Sequence, residues 1–188
     1  MNRRELLRSI ALITGATVVG GEFLLSGCKN PAAGTLHFSP AMISLLNEVA
    51  ETILPATDTP GAKAAEVGAF MKIMVTDCYT KDQQDVFVKG IADLDMKAQA
   101  ATKQTFLEST PEQRHTLLTS LEKEAKTYNE SREDKKAPVH YYTLMKQLTL
   151  WGFFTSKTGM TETLRHLPVP GRFDGNVPYT KGEKAWAE

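Results

Sequence analysis

From Ser39 onward, apolar residues return every three or four positions between proline and glycine breaks, and no stretch alternates apolar with polar over a useful length. Such a pattern buries stripes of helices and not faces of strands, so the expected fold is all-α. Ser39 before Pro40 reads as an N-cap with proline at the first helical position, and Ile43, Leu46, Val49, Ala50, Ile53 and Leu54 follow at helical spacing until Pro55. Residues 55–61 read as a tight loop whose Thr57, Asp58 and Thr59 bond backbone donors. A second helix is expected to about Tyr79, with Cys78 joining Val67, Phe70, Met71, Met74 and Val75 as a small core hydrophobe. A third, from about Lys81 to Ala100, carries Phe87, Ile91 and Leu94 and is weakened by Gly90. Thr110-Pro111-Glu112-Gln113 is a capping box that opens a fourth helix, buried through Leu117, Leu118, Leu121 and Ala125. The polar run from Asn129 to Lys136 reads as a solvated loop.

The fifth pattern, from His140 to Phe154, is the most apolar and has two stripes. Tyr141, Leu144, Met145, Leu148 and Trp151 form one; Tyr142, Leu150 and Phe153 form the other. A helix apolar on two sides is central to a bundle or shared with a partner, and central burial is the expectation. After Leu164 come three prolines and two glycines between His166 and Tyr179, which forbid a helix. That tail packs either along its own domain or against another protein. The body from 38 to 188 is thus expected to be a single all-α domain of about five helices with an extended Pro/Gly-rich C-terminal tail.

The amino terminus reads as an address. Arg3 and Arg4 precede a short apolar stretch from Ile10 to Leu25 that is diluted by glycine. It is too short for a spanning helix, which needs about 20 consecutive apolar residues, and it has the layout of a secretory signal. The paired arginines resemble a twin-arginine export signal, with Asn2 and Leu6 in place of that pattern's usual Ser/Thr and Phe. Leu25-Ser26-Gly27-Cys28 resembles a bacterial lipobox, so residues 1–27 are expected to be removed and Cys28 to carry the lipid. Two or three acyl chains, at about 0.8 kcal/mol per buried methylene, give stable anchoring. Residues 28–37 then form a lipidated tether. These readings place the mature chain on the periplasmic side of a bacterial cell envelope, lipid-anchored to a membrane.

Composition and motifs exclude much else. The 22 basic and 22 acidic side chains balance, which gives no footprint for nucleic acid. With Cys28 lipidated, the second of the two cysteines has no disulfide partner. His37, His115, His140 and His166 are never three or four apart, so no helix carries a paired metal site. There is no dinucleotide fingerprint, P-loop or nucleophile elbow in the body. Asp93 with Asp95, and Glu122 with Glu124, are spaced to face different directions and read as a solvated surface. No catalytic residue, bound cofactor or metal is expected on this chain.

Three blocks carry a resemblance: Ile53–Ala62 (ILPATDTPGA), Leu148–Ser156 (LTLWGFFTS), and Leu164-Arg165 followed by Pro168–Gly175 (PVPGRFDG). In this order, within Phe38 to Tyr179, they resemble the gluconate 2-dehydrogenase subunit 3 family. The resemblance implies a small accessory subunit, often twin-arginine-signalled, beside a large FAD-dependent dehydrogenase of the glucose-methanol-choline type. A cytochrome c subunit with haem c commonly carries electrons onward. It further implies that the small chain, recognised by the twin-arginine translocase, exports the large one as a passenger. The flavin and the catalytic base belong to the large subunit, and the substrate is a sugar or sugar acid. The family does not require a lipobox, so this version should hold its complex to a membrane. Aromatics and arginine dominate binding hot spots, which makes Trp151, Phe153, Phe154, Arg165, Pro170, Arg172, Phe173 and Tyr179 the docking candidates. The alternative is a stand-alone periplasmic lipoprotein that binds a small molecule or another protein. An apolar pocket with converging polar groups would mark that alternative, whereas an exposed apolar patch near Trp151 or the tail would mark a subunit.

Overall fold

The computed structural model describes residues 36–173 and 175–187. Arg3, Arg4, Cys28 and most of the tether lie outside them. Five α-helices make up the described body: α1 Pro40–Ile53, α2 Val67–Asp77, α3 Lys81–Thr102, α4 Pro111–Ser131 and α5 Tyr141–Phe154. A 3₁₀ turn at Ala62–Ala65 precedes α2, and a π-helical turn at Gly159–Thr163 follows α5. The tail adds two two-residue strands, β1 Arg165–His166 and β2 Trp186–Ala187, paired in parallel. None of the described helices is long and apolar enough to cross a membrane.

Local chemistry starts the helices where the sequence signals it. Ser39 Oγ accepts the Met42 N–H at 3.2 Å, and Thr110 with Gln113 forms the reciprocal capping box. Thr80 and Gln83 build a second such box at the start of α3. Thr80-Lys81-Asp82-Gln83 carries the same four-residue signature as Thr110–Gln113.

Long-range packing then fixes the arrangement. Helix α5 touches all four other helices and is central, as its two apolar stripes imply. Leu46, Val49, Met71, Phe87, Leu94, Leu121, Met145, Leu148 and Phe153 form the solvent-free interior. Phe106, in the loop between α3 and α4, is buried with them; its N–H donates to Asp95 Oδ1 at 2.8 Å. At Gly90 α3 packs tightly against α5, since a Cβ there would lie 2.3 Å from Tyr141 Cγ. The residue that weakens α3 by propensity is therefore what its packing requires.

Two expectations about the second helix need correction. The second helix does not run unbroken after the loop, because Glu66 takes up a left-handed conformation with φ of 51° between the 3₁₀ turn and α2. The 3₁₀ turn belongs to the loop closure: Glu51 accepts from the Ala56 N–H at 2.9 Å and the Lys63 N–H at 2.8 Å. Cys78 is exposed and not a core thiol. It stands one residue beyond α2, where the helix end is finished by polar contacts. There the Gln84 amide donates to the carbonyls of Val75, Thr76 and Tyr79 at 3.0, 3.1 and 3.3 Å.

Polar clamps tie the helices together from outside. Arg114 of α4 donates through Nη1 to Glu48 of α1 at 2.6 Å and through Nε to the Phe106 carbonyl at 2.9 Å. Lys63 also pairs with Glu48. Partial burial raises the Glu48 carboxyl, but Lys63 and Arg114 outweigh it and hold the group below the ordinary carboxylate range.

Candidate docking surface

Among the described residues, one exposed apolar region is built where α2 and α5 cross. A Cβ on Gly152 would lie 2.6 Å from Phe70 Cδ1, so the glycine lets the Phe70 ring reach the α5 backbone. That ring meets Trp151 edge-on, with centroids 6.0 Å apart and planes at 75°. Trp151 is 54% exposed, Ile73 56% and Phe154 37%. Ile73 stands one turn from Phe70 on the same helix. Hydroxyls lock the end of α5 beneath this strip: Thr155 Oγ1 donates to the Trp151 carbonyl at 2.7 Å, and Ser156 Oγ to the Phe153 carbonyl at 2.6 Å. The exposed rings therefore sit on a fixed backbone.

Phe153, grouped with these residues in the sequence, is 1% exposed. It lies in the interior and meets the Phe154 ring edge-on, at 5.2 Å between centroids. Trp151 is displaced the other way, out of the stripe with Leu144, Met145 and Leu148 that the core buries.

The second region is the tail. Arg165 is half-buried at its base, and Pro170, Arg172, Phe173 and Tyr179 are exposed along it. The tail closes on itself: the Arg165 N–H donates to the Ala185 carbonyl at 2.8 Å and the Leu167 N–H to the Ala187 carbonyl at 2.9 Å. The Arg165 guanidinium stacks 3.6 Å from the Trp186 ring centroid and pairs with Glu183. Glu183 also accepts the Thr180 N–H at 3.1 Å, and these bonds hold its carboxyl below the ordinary range.

A polar network missed in the sequence supports the opposite end of α5. Tyr141 donates to Asp93 Oδ2 at 2.7 Å, and Lys97 bridges Asp93 at 3.1 Å and Glu124 at 2.7 Å. His140, nearly buried, is the N-cap of α5: its Nδ1 accepts the Tyr142 N–H at 3.2 Å, while Nε2 lies 3.6 Å from Glu124. Burial lowers the His140 pKa and outweighs the nearby Glu124. Burial, followed by Asp93, raises the Tyr141 hydroxyl far above the ordinary phenol range, and burial pushes Tyr142 up to about 12. Asp93 and Asp95 do diverge, but each has a structural partner, Tyr141 for one and the Phe106 N–H for the other. The Thr80–Gln83 box was readable in the sequence; this cross-helix network carried no local signal. Among the described residues, no group of three or more His, Cys, Asp or Glu is placed to hold a metal ion.

A comparison with protein families supplies a match. The model of the family described as gluconate 2-dehydrogenase subunit 3 matches residues 40–171. That span includes all five helices, the Trp151 strip and Arg165. It ends before Phe173, Tyr179 and β2. No curated protein and no solved structure matches the chain.

Proposed function

Because the chain belongs to the gluconate 2-dehydrogenase subunit 3 family, we propose that it is the non-catalytic small subunit of a membrane-associated, FAD-dependent sugar or sugar-acid dehydrogenase. In this reading FAD and the catalytic base lie in a large flavoprotein subunit, and a cytochrome c subunit passes electrons on. The small chain carries the twin-arginine signal at Arg3 and Arg4, takes the folded flavoprotein through the translocase, and holds it to the membrane through lipid on Cys28.

The observation that carries this reading is the strip of Ile73, Phe70, Trp151 and Phe154 within the matched span. Large apolar side chains on two adjacent helices, over a backbone fixed by hydroxyl bonds, form the kind of patch that protein interfaces cover. A Trp at its centre fits a binding hot spot. A subunit of this kind needs an export signal and a rigid docking face, and Glu48, Arg114, Asp93, Lys97 and Tyr141 are used in structural pairs.

The chain, captured from detergent-extracted membranes of its native host, is expected to bring down a flavin-containing dehydrogenase in stoichiometric amount. A Trp151→Ser/Phe154→Ser variant should retain less than a tenth of it. Recovery of the small chain without any flavoprotein would overturn the reading. Replacing Arg3 and Arg4 by lysine should deplete the periplasmic side of dehydrogenase, and undiminished export would remove the escort role. Cys28→Ala should release the complex from membranes into the soluble fraction.

A further inference from the structure

The segment between α4 and α5 reads in sequence as a solvated run of mixed charge, yet the fold sorts its charges by side. Arg132, Lys135 and Lys136 line a cavity of about 350 Å³, whereas Glu133 and Asp134, which stand between them in the chain, do not. Asp134 serves the turn itself: its Oδ1 accepts the Lys136 N–H at 2.8 Å and its carbonyl the Ala137 N–H at 3.2 Å. The other walls include Thr80 and Gln83 at the start of α3 and Leu144 and Gln147 on α5. Asp82 is the one carboxylate in the lining, so the cavity carries an excess of positive charge. Among the described residues, none of the three cations forms an ion pair. Arg132 donates through Nη1 to the Ala137 carbonyl at 2.5 Å, which fixes the guanidinium, but its Nε is buried and without a hydrogen-bond partner. A buried guanidinium N–H left unpaired, beside two ammonium groups without counter-ions, is the donor set an anion completes.

Resting on the lipid-anchor reading of Cys28 above, we propose that this cavity takes the phosphate of an anionic phospholipid headgroup and so sets the face that the body turns to the membrane. A guanidinium and two ammonium groups around one recess match the oxygens of a phosphate, and basic recesses of this kind favour headgroups of net negative charge. The point where the chain enters the body favours a lipid over a free phosphate. Phe38, just past the tether, is buried and packs against Phe87 of α3 with ring centroids 6.4 Å apart. Phe87 follows Thr80 of the cavity by seven residues on the same helix, about 10 Å at a rise of about 1.5 Å per residue. The nine residues from 28 to 36 span at most about 30 Å, so lipid on Cys28 keeps the cavity within reach of the bilayer surface. One headgroup orients the chain; the acyl chains on Cys28 still hold it.

The test uses the full chain extracted in nonionic detergent from its native host, with binding of added dioctanoyl-phosphatidylglycerol, dioctanoyl-phosphatidylcholine and inorganic phosphate followed by thermophoresis. Phosphatidylglycerol should bind at least about tenfold more tightly than either of the others, and its affinity should fall as salt rises. Arg132→Gln/Lys135→Gln/Lys136→Gln should weaken that binding at least about tenfold, whereas Lys89→Gln/Lys123→Gln/Lys126→Gln, which removes the same charge elsewhere, should change it less than about twofold. Lys135→Gln/Lys136→Gln leaves the Arg132–Ala137 bond in place and should show part of the loss at an unchanged melting temperature, which separates binding from folding. Equal binding of the two lipids, or equal loss in both triple variants, overturns the proposal. Inorganic phosphate bound as tightly as phosphatidylglycerol would make the cavity a site for free phosphate, and the membrane assignment would be wrong. The anchor reading fails separately, if the intact mass of the extracted chain shows no lipid on Cys28 whatever the cavity binds.

Discussion

Phe153 and Phe173 are the same residue put to opposite uses: the first is 1% exposed at the end of α5 and the second 96% exposed in the tail. The difference reflects how each region is held. In the helical body, apolar side chains fill the space between helices, and polar groups such as Glu48, Arg114, Asp93 and Tyr141 tie helix to helix. In the tail, polar and backbone groups close the chain upon itself and the aromatics stay outside. Stability is thus concentrated in the body, and the recognition proposed above would fall to side chains the body leaves uncovered. Identical substitutions in the two regions should separate the two roles.

The largest effect is expected at Phe153. Truncating a fully buried phenylalanine to alanine costs about 3–5 kcal/mol through lost transfer energy and the cavity left behind. Chemical denaturation of Phe153→Ala should therefore show a midpoint near the limit of a folded chain, and a loss below about 1 kcal/mol would mean that this end of α5 is not core. Gly90→Val comes next. Its added atoms meet the Cβ and Cγ of Tyr141 at well under contact distance, and overpacking of this kind costs about 1–3 kcal/mol. A double-mutant cycle of Gly90→Val with Tyr141→Ala should show a favourable coupling of only part of that loss, because alanine removes the ring but keeps the Cβ that lies 2.4 Å away. The absence of any coupling would place the strain elsewhere.

Much of the body was legible in sequence because its signals are local. Ser39-Pro40 and Thr110-Pro111-Glu112-Gln113 name their helix starts by chemistry that acts within one turn, and the two-striped fifth pattern identified the central helix. What was not legible depends on which face another element covers. Cys78 continues the spacing of Met71 and Val75, yet it stands where α2 ends in polar contacts. Trp151 and Phe153, both docking candidates, part company because the stripe carried by Leu144, Met145 and Leu148 is not the one covered at the last turn of α5. Gly90 looked like a flaw in α3, because Tyr141 lies far away along the chain. The network of Asp93, Lys97, Glu124 and His140 was hidden for the same reason. Of the docking candidates, the fold groups Trp151 with Phe154, gathers the tail residues on a separate loop, and gives Phe153 to the interior.

His140 offers a smaller and pH-dependent probe of the body. Its Nδ1 must be unprotonated to accept the Tyr142 N–H, and burial keeps its folded-state pKa below the ordinary value. The unfolded chain therefore binds the proton more readily. The cap's contribution is fully present above the unfolded histidine pKa of about 6.5 and is lost as pH falls from there through the lowered folded value. The groups around it are Glu124, Lys97 and Asp93, and the carboxyls of Glu48 and Asp93, both held low, add their own losses only at more acidic pH. The part of that loss that belongs to the cap bond is about 1 kcal/mol, the worth of an N-cap, and burial of the imidazole adds to it. His140→Asn keeps a capping oxygen and removes the titration, so its stability profile should be flatter than wild type just below pH 6.5. Superimposable profiles would show that the cap does not titrate in this window.

The smallest effect is expected where the comparison began. Phe173→Ala removes a ring that is almost wholly in water, so little buried area is lost and the stability of the small chain should change by no more than about 0.5 kcal/mol. The closure of the tail should also survive, since it rests on Arg165, Glu183, Trp186 and backbone bonds that do not involve the ring. Thermal unfolding of Phe173→Ala beside Phe153→Ala gives the contrast in one measurement: the same truncation is nearly silent in the tail and severe in α5. If both variants lose comparable stability, Phe173 packs against the body in solution, and the division between a region that holds the fold and a region closed only upon itself is lost.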